Sequence, residues 1–257
     1  MLTGDSQVSR FPVRTLIPVL ALLLSVGGCA SLPTGAKPDP RDRFERVNRG
    51  IYVFNVKIDH AVLRPTARAY VKITPRPVRT GVSNFLSNLT YTTTIVNDFL
   101  QGQWRHGASD TARLVVNSLF GVAGIFDVAT PSGLDRNYAD FGQTMGKWGV
   151  HSGPYVMLPF LGPSTVRDAI GLLPDEYTTI RAYIINPYVR WGLFSLDVVD
   201  RRVGLLDEDK ILDRSYDPYA FLRNVYLQRR DYQVHGDQSP EEQFPDLDDS
   251  GDAPPPK

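Results

Sequence analysis

The sequence predicts a mostly α-helical protein. Three observations carry that prediction. Apolar residues recur at helical spacing in one segment after another. Capping residues and first-turn prolines stand where those segments begin. Twenty prolines and twenty-one glycines in 257 residues break the chain into short elements with hard stops.

The first helix is predicted to begin at Asp39-Pro40, an N-cap followed by a first-turn proline. Phe44, Val47, Ile51, Phe54 and Ile58 then fall on one helical face. Arg64-Pro65 marks the expected end of this element. Val78, Val82, Phe85, Leu86 and Leu89 form a second apolar face, and "TIVNDFLQGQW" continues the pattern to Gly102. "SDTARLVVNSLFG" offers Ser109 or Asp110 as a cap. Ser164 or Thr165 can cap "TVRDAIGLL", with Asp168 in a capping-box position. Asp217-Pro218 caps "YAFLRNVYLQRRDY". Val71–Ile73 and Tyr155–Leu158 are candidate strands, each bounded by proline and without an evident partner. Periodicity alone does not choose between a globule and a flat, curved array of short helices.

Charge and cysteine usage narrow the compartment. Formal charge is balanced, so nothing points to nucleic acid. The single cysteine, Cys29, excludes an intramolecular disulfide and a zinc cluster. Arg10 and Arg14 precede the apolar run "LIPVLALLLSVGGC", which has signal-peptide rather than membrane-span length. This resembles a bacterial lipobox, with cleavage before Cys29 and acylation of that cysteine as the lipid anchor. Ala30, not aspartate, follows it, which favours delivery to the outer membrane. The expected organisation is a signal peptide over 1–28, a lipidated tether over 29–38, a helical domain over 39–235 and an acidic, proline-rich disordered tail over 236–257.

Enzyme motifs are not found. "GVHSG" has its serine one place late for a nucleophile elbow, and the four histidines are scattered. His106, Ser109 and Asp110 read as a helix start, and His151-Ser152 as a turn. No catalytic residue, metal or cofactor is assigned. A membrane-anchored lipase remains the enzymatic alternative, since catalytic groups can be dispersed in sequence.

Several stretches resemble, in order, those of the MlaA family (VacJ lipoproteins). "DPRDRFERVNRGIYVFNVKIDHAVLRP" matches the opening D-P-x-x-x-F-N-R-x-x-Y-x-F-N style through Asp39, Pro40, Phe44, Asn48, Arg49, Tyr52, Phe54, Asn55, Arg64 and Pro65. Position 45 is Glu where some members carry Asn. "GVSNFLSNL", "VNDFLQG", "NSLFGVAGIFDVA", "DFGQTMGKWGVHSGPYVMLPFLGPSTVRD" and "YDPYAFLRNVYLQRRDY" follow. The resemblance implies a ring of short amphipathic helices embedded in one leaflet of a Gram-negative outer membrane, on its periplasmic face, with a polar channel. It implies phospholipid as cargo, retrograde transport, a trimeric porin as partner and a periplasmic lipid-carrier protein (MlaC-like) as acceptor. It implies no enzymatic activity. The rival reading is a structural lipoprotein that scaffolds porins.

Against that background "SLFGVAGIFDVA" is expected to form a re-entrant helical hairpin. Gly121 and Gly124 permit the bend, Leu119, Phe120, Val122, Ile125 and Phe126 meet lipid or the ring, and Asp127 holds a polar spot at the channel mouth. Core packing of a soluble domain is the competing reading. Phe54 is expected to pack. Asn55 contacts the channel or fixes the helix to its neighbour. Trp148 and Tyr155 are interface anchors or core residues. Lys147, Arg167 and Arg181 are candidates for a lipid phosphate, or solvated surface charges.

Overall fold

The computed structural model describes residues 39–236. The expected signal peptide, the tether with Cys29 and the tail beyond Gly236 lie outside the described residues. Helices dominate, as the periodicity requires.

Helix α1 spans Glu45–Ile58, later than Asp39-Pro40 suggests. Asp39 instead closes a turn, accepting from the Arg41 N–H at 2.8 Å. Arg64-Pro65 does not end the helical path. A π turn over Asp59–Leu63 leads directly into α2, Arg64–Ile73. A proline ring collides with the carbonyl four residues back and supplies no N–H. The wider turn relieves this, and the Arg64 N–H reaches back five residues to the Asp59 carbonyl. Val71–Ile73 therefore closes a helix and is not a strand.

Helices α3, Arg76–Leu100, and α4, Trp104–Leu119, form an antiparallel hairpin joined at Gly102, whose φ is +73°. Gly107 lets them approach closely, since a Cβ there would lie 2.8 Å from the Phe99 ring. Because α4 begins at Trp104, Ser109 and Asp110 are interior helix positions rather than caps. Asp110 is buried and accepts from the Tyr91 hydroxyl at 2.8 Å.

Helix α5, Phe141–Lys147, is capped by Asp140, which accepts from the Gln143 N–H at 2.9 Å. Tyr155–Leu158 is strand β1, and its partner is β2, Gly162–Thr165, antiparallel with Tyr155 opposite Thr165 and Leu158 opposite Gly162. Thr165 caps α6, Val166–Thr178, accepting from the Asp168 N–H, as the sequence predicts. Helix α7 is Pro187–Gly204, α8 is Asp209–Arg214, and α9 is Pro218–His235, capped by Asp217.

Burial runs opposite to that of a water-soluble domain. Among the described residues eight buried side chains are hydrophobic and twenty are polar or charged. The hydrophobic cluster is small: Tyr155, Met157 and Tyr219, with Ile51, Tyr52, Leu222, Tyr226 and Leu227 around them. Phe44 and Val47, on the apolar stripe of α1, face outward, while Asn48 and Gly50 are buried. Charged networks tie the helices together instead. Arg230 of α9 donates to both Asp140 oxygens at 2.6 and 2.7 Å and to Asp168 at 2.8 and 3.0 Å. Removing one partner of such a buried pair typically costs about 3–5 kcal/mol. No helix among the described residues is long and apolar enough to cross a membrane.

Candidate functional site

The site is built at the open end of the α3–α4 hairpin, away from the Gly102 joint. Helix α4 ends at Leu119 with Phe120 as its C-cap. The chain then turns back on itself: the Ala123 N–H donates to the Ser118 carbonyl at 3.0 Å, Gly124 to Asn117 at 2.8 Å and Phe126 to Gly121 at 2.9 Å. The expected hairpin thus has one helical arm and one returning turn, not two helical arms. Gly121 is required by close approach, since a Cβ would lie 2.1 Å from the Phe126 carbonyl oxygen. Gly124 is required twice over. Its φ is +89°, and a Cβ would lie 2.5 Å from the Asn88 side chain on α3. Leu119, Phe120, Val122 and Phe126 remain mostly exposed on the outer side.

The inner side of this turn is polar. Asn84, Ser87, Asn88, Tyr91, Arg113, Asn117, Asp127 and Arg136 line a small cleft open to solvent. Asn84 donates to the Ile125 carbonyl at 3.2 Å, and Asn88 to Ser118 Oγ at 3.0 Å. Asp127 sits in the wall. Burial acts to raise its pKa, but hydrogen bonds from Thr130, Arg113 and Asn117 prevail and hold it at about 2. Arg113 meets it at 2.7 Å.

The cleft carries net positive charge. Arg113 and Arg136 contribute two positive charges and Asp127 one negative, leaving one. Arg113 is paired, whereas Arg136 has no acidic partner among the described residues. Its guanidinium lies 5.9 Å from the Tyr91 ring centroid. Behind Tyr91, Asp98 and Asp110 form a buried carboxyl pair. Burial, the Asp110 hydrogen bond and the Asp110 charge push Asp98 up to about 7. The cleft presents amide, hydroxyl and guanidinium donors to solvent.

The other predicted residues lie elsewhere. Asn55 fixes α1 to the β-hairpin, donating to the Leu158 carbonyl and accepting from the Phe160 N–H, both at 2.9 Å. Phe54 packs edge-on against Phe160, ring centroids 5.3 Å apart. Tyr155 is fully buried in the hydrophobic cluster, which corrects its reading as an interface anchor. Arg167 is buried and paired with Asp168 at 3.1 Å, so it is neither a solvated charge nor open to a lipid phosphate. Arg181 is likewise buried, between Glu176 and Asp197. Trp148 is half-exposed at the end of α5 and donates to the Leu100 carbonyl at 3.0 Å, compatible with an interfacial position. Lys147 is exposed beside it; burial lowers its pKa against the pull of Asp98. His151 accepts from the Gly153 N–H at 3.0 Å, a turn contact.

Sequence reasoning matched Asn48 to the family pattern but gave it no role. Its amide donates to Asp42 at 2.8 Å and to the Tyr155 carbonyl at 3.1 Å, and accepts from the Met157 N–H at 2.9 Å. Asn48 and Asn55 together act as an extra strand for β1. Their spacing of seven, one helical face, was the available signal.

A helical body with a polar interior and many large apolar side chains on its outside is the class of protein that suits a lipid interface. Within that class the chain belongs to the MlaA lipoprotein family, whose model matches residues 40–233. It is 38% identical over 215 residues to the intermembrane phospholipid transport system lipoprotein MlaA of Escherichia coli (strain K12), covering 81% of this chain and 84% of the relative. The protein of that name from Haemophilus influenzae is 28% identical over 233 residues, covering 86% and 91%. A solved structure described as "Structural basis for maintenance of bacterial outer membrane lipid asymmetry" matches with a TM-score of 0.68 and 37% identity, over 75% of this chain and 98% of the other.

Proposed function

We propose that this chain is the outer-membrane lipoprotein of an intermembrane phospholipid transport system. Cys29 anchors it, and its helices lie as a ring in the inner leaflet. It takes phospholipid that has strayed to the outer leaflet and delivers it through a polar lane to a periplasmic carrier, with a trimeric porin holding it in place. The inverted burial is the observation that carries this reading. Moving a phosphate through hydrocarbon without partners is prohibitive, because a buried charge loses its hydration. A polar cleft inside an apolar shell supplies partners to the headgroup and leaves the acyl chains in lipid. Transfer of this kind breaks no covalent bond and needs no nucleophile.

The test is outer-leaflet phospholipid in a strain lacking the protein, complemented with the intact gene or with Gly121 and Gly124 replaced by bulky residues. Accumulation without the protein, cleared only by the intact gene, supports transport that depends on the turn after α4. Unchanged phospholipid in all strains refutes it and brings the porin-scaffold reading forward.

A further inference from the structure

Two carboxyl groups are buried side by side where α3 meets α4, behind the wall of the cleft. Asp98 is wholly buried and Asp110 is 1% exposed. Three hydrogen bonds run between them. Tyr91 Oη donates to Asp110 Oδ1 at 2.8 Å, the Asn137 N–H donates to Tyr91 Oη at 3.3 Å, and the Asn137 side-chain amide donates to Asp98 Oδ1 at 2.9 Å. A side-chain hydrogen bond between Asp98 and Asp110 themselves closes the ring. Each carboxyl keeps a second oxygen, Oδ2, that is buried and receives no donor from any other residue.

Two carboxylates in contact repel, and a buried carboxylate oxygen without a donor is costly. One proton removes both penalties, because a carboxylic acid donates to the carboxylate beside it. Among the described residues no cation takes its place. Lys147 of α5 acts on Asp98 but is itself exposed. Arg113 of α4 and Arg136 stand over the Tyr91 ring, 6.0 and 5.9 Å from its centroid, and Arg113 is paired with Asp127 at 2.7 Å.

We propose that Asp98 and Asp110 hold one proton between them as a latch on the cleft wall. With the proton in place the Tyr91–Asn137 bond is closed. When it leaves, water enters between α3 and α4 to hydrate the second carboxylate, and that bond opens. Tyr91 lines the cleft and Asn137 follows the cleft residue Arg136, so the latch acts on the cleft itself. It does not depend on the transport reading, since it sets the order of the wall and not the identity of the cargo.

Amide hydrogen exchange at Asn137 reads the latch directly, because that N–H is the donor to Tyr91. The full-length protein in detergent micelles is followed from pH 6 to 8.5, each rate divided by that of the unfolded chain at the same pH. Asp98 has a folded pKa of about 7 against an ordinary 3.8, so linkage gives a loss of Asn137 protection of about tenfold over this range. The Gly124 amide, which donates to the Asn117 carbonyl in the turn, should keep its protection. Asp98→Asn replaces the proton with an amide that donates at every pH and should hold Asn137 protection constant. Asp110→Asn should do the same from the other side. Constant protection of Asn137 in the wild-type chain overturns the proposal, as does a tenfold loss that persists in both variants. Protection at pH 8.5 that millimolar magnesium restores assigns the pair to a metal cation, which overturns it too.

Discussion

Gly124→Ala probes how the polar cleft is held to α3. The substitution adds one methyl group and meets two obstacles. The backbone φ of +89° disfavours any L side chain, at about 1–2 kcal/mol. The new Cβ would stand 2.5 Å from Asn88 Cβ and Cγ, and relieving such overpacking costs about 1–3 kcal/mol. The total is about 2–5 kcal/mol. Gly133 supplies the control. Its φ is +81° and a Cβ there meets nothing within 4 Å, so Gly133→Ala carries only the backbone cost, about 1–2 kcal/mol. Urea unfolding of both variants in one detergent measures the difference. A gap of about 1–3 kcal/mol is expected, and Gly124→Ala should cost correspondingly less in an Asn88→Gly background than in the wild-type chain. A gap under about 0.5 kcal/mol would refute the argument that the turn is seated on α3 by contact.

Two further outcomes are expected. Asn48→Ala removes three buried hydrogen bonds and should destabilise by about 3 kcal/mol, roughly twice the effect of Asn55→Ala, whose partners are more exposed and can rebind water; chemical denaturation of the pair reads this directly. Asp98, with its folded pKa raised to about 7 from 3.8, binds a proton in the folded state that the unfolded chain has already released. Its contribution is therefore full below pH 3.8 and lost as pH rises through 7, with a slope of at most about 1.4 kcal/mol per pH unit between these values. Asp98→Asn should flatten that slope in unfolding measured from pH 5 to 8; an unchanged slope would show that the buried pair does not take up the proton.

Helix starts were legible where the capping group acts through its own backbone neighbours. Thr165 and Asp217 each accept from an N–H three residues on, a local geometry that residue type alone specifies. Pro65 misled because its rule assumes α-helical spacing, and a π turn evades the clash the rule describes. Strand β2 was invisible because "GPST" carries neither alternation nor β-branched bulk beyond Thr165; its pairing with β1 is a backbone ladder, Tyr155 opposite Thr165 and Leu158 opposite Gly162, which no side-chain pattern announces. Periodicity located the stripe of Phe44 and Val47 but not the medium it faces, since a lipid-facing stripe and a core-facing one share one spacing. At the cleft, Gly121, Gly124 and Asp127 share a single contiguous stretch, which is why the sequence could single them out. Arg136, Asn84 and Asn88 join it only through tertiary packing, and no local pattern sets them apart.

The inverted burial also changes what the stability of this protein means. With few apolar side chains inside, withdrawal from water supplies little of the driving force for folding, and the outward apolar faces of Phe120, Phe160, Leu173 and Ile185 are left for an amphiphile or a partner to cover. Lipid or detergent then behaves as a ligand of the native state. Each tenfold rise in its effective occupancy adds about 1.4 kcal/mol per independent site by mass action. The melting temperature of this chain is accordingly a joint property of polypeptide and surroundings, and exchanging one micelle for another titrates the fold itself.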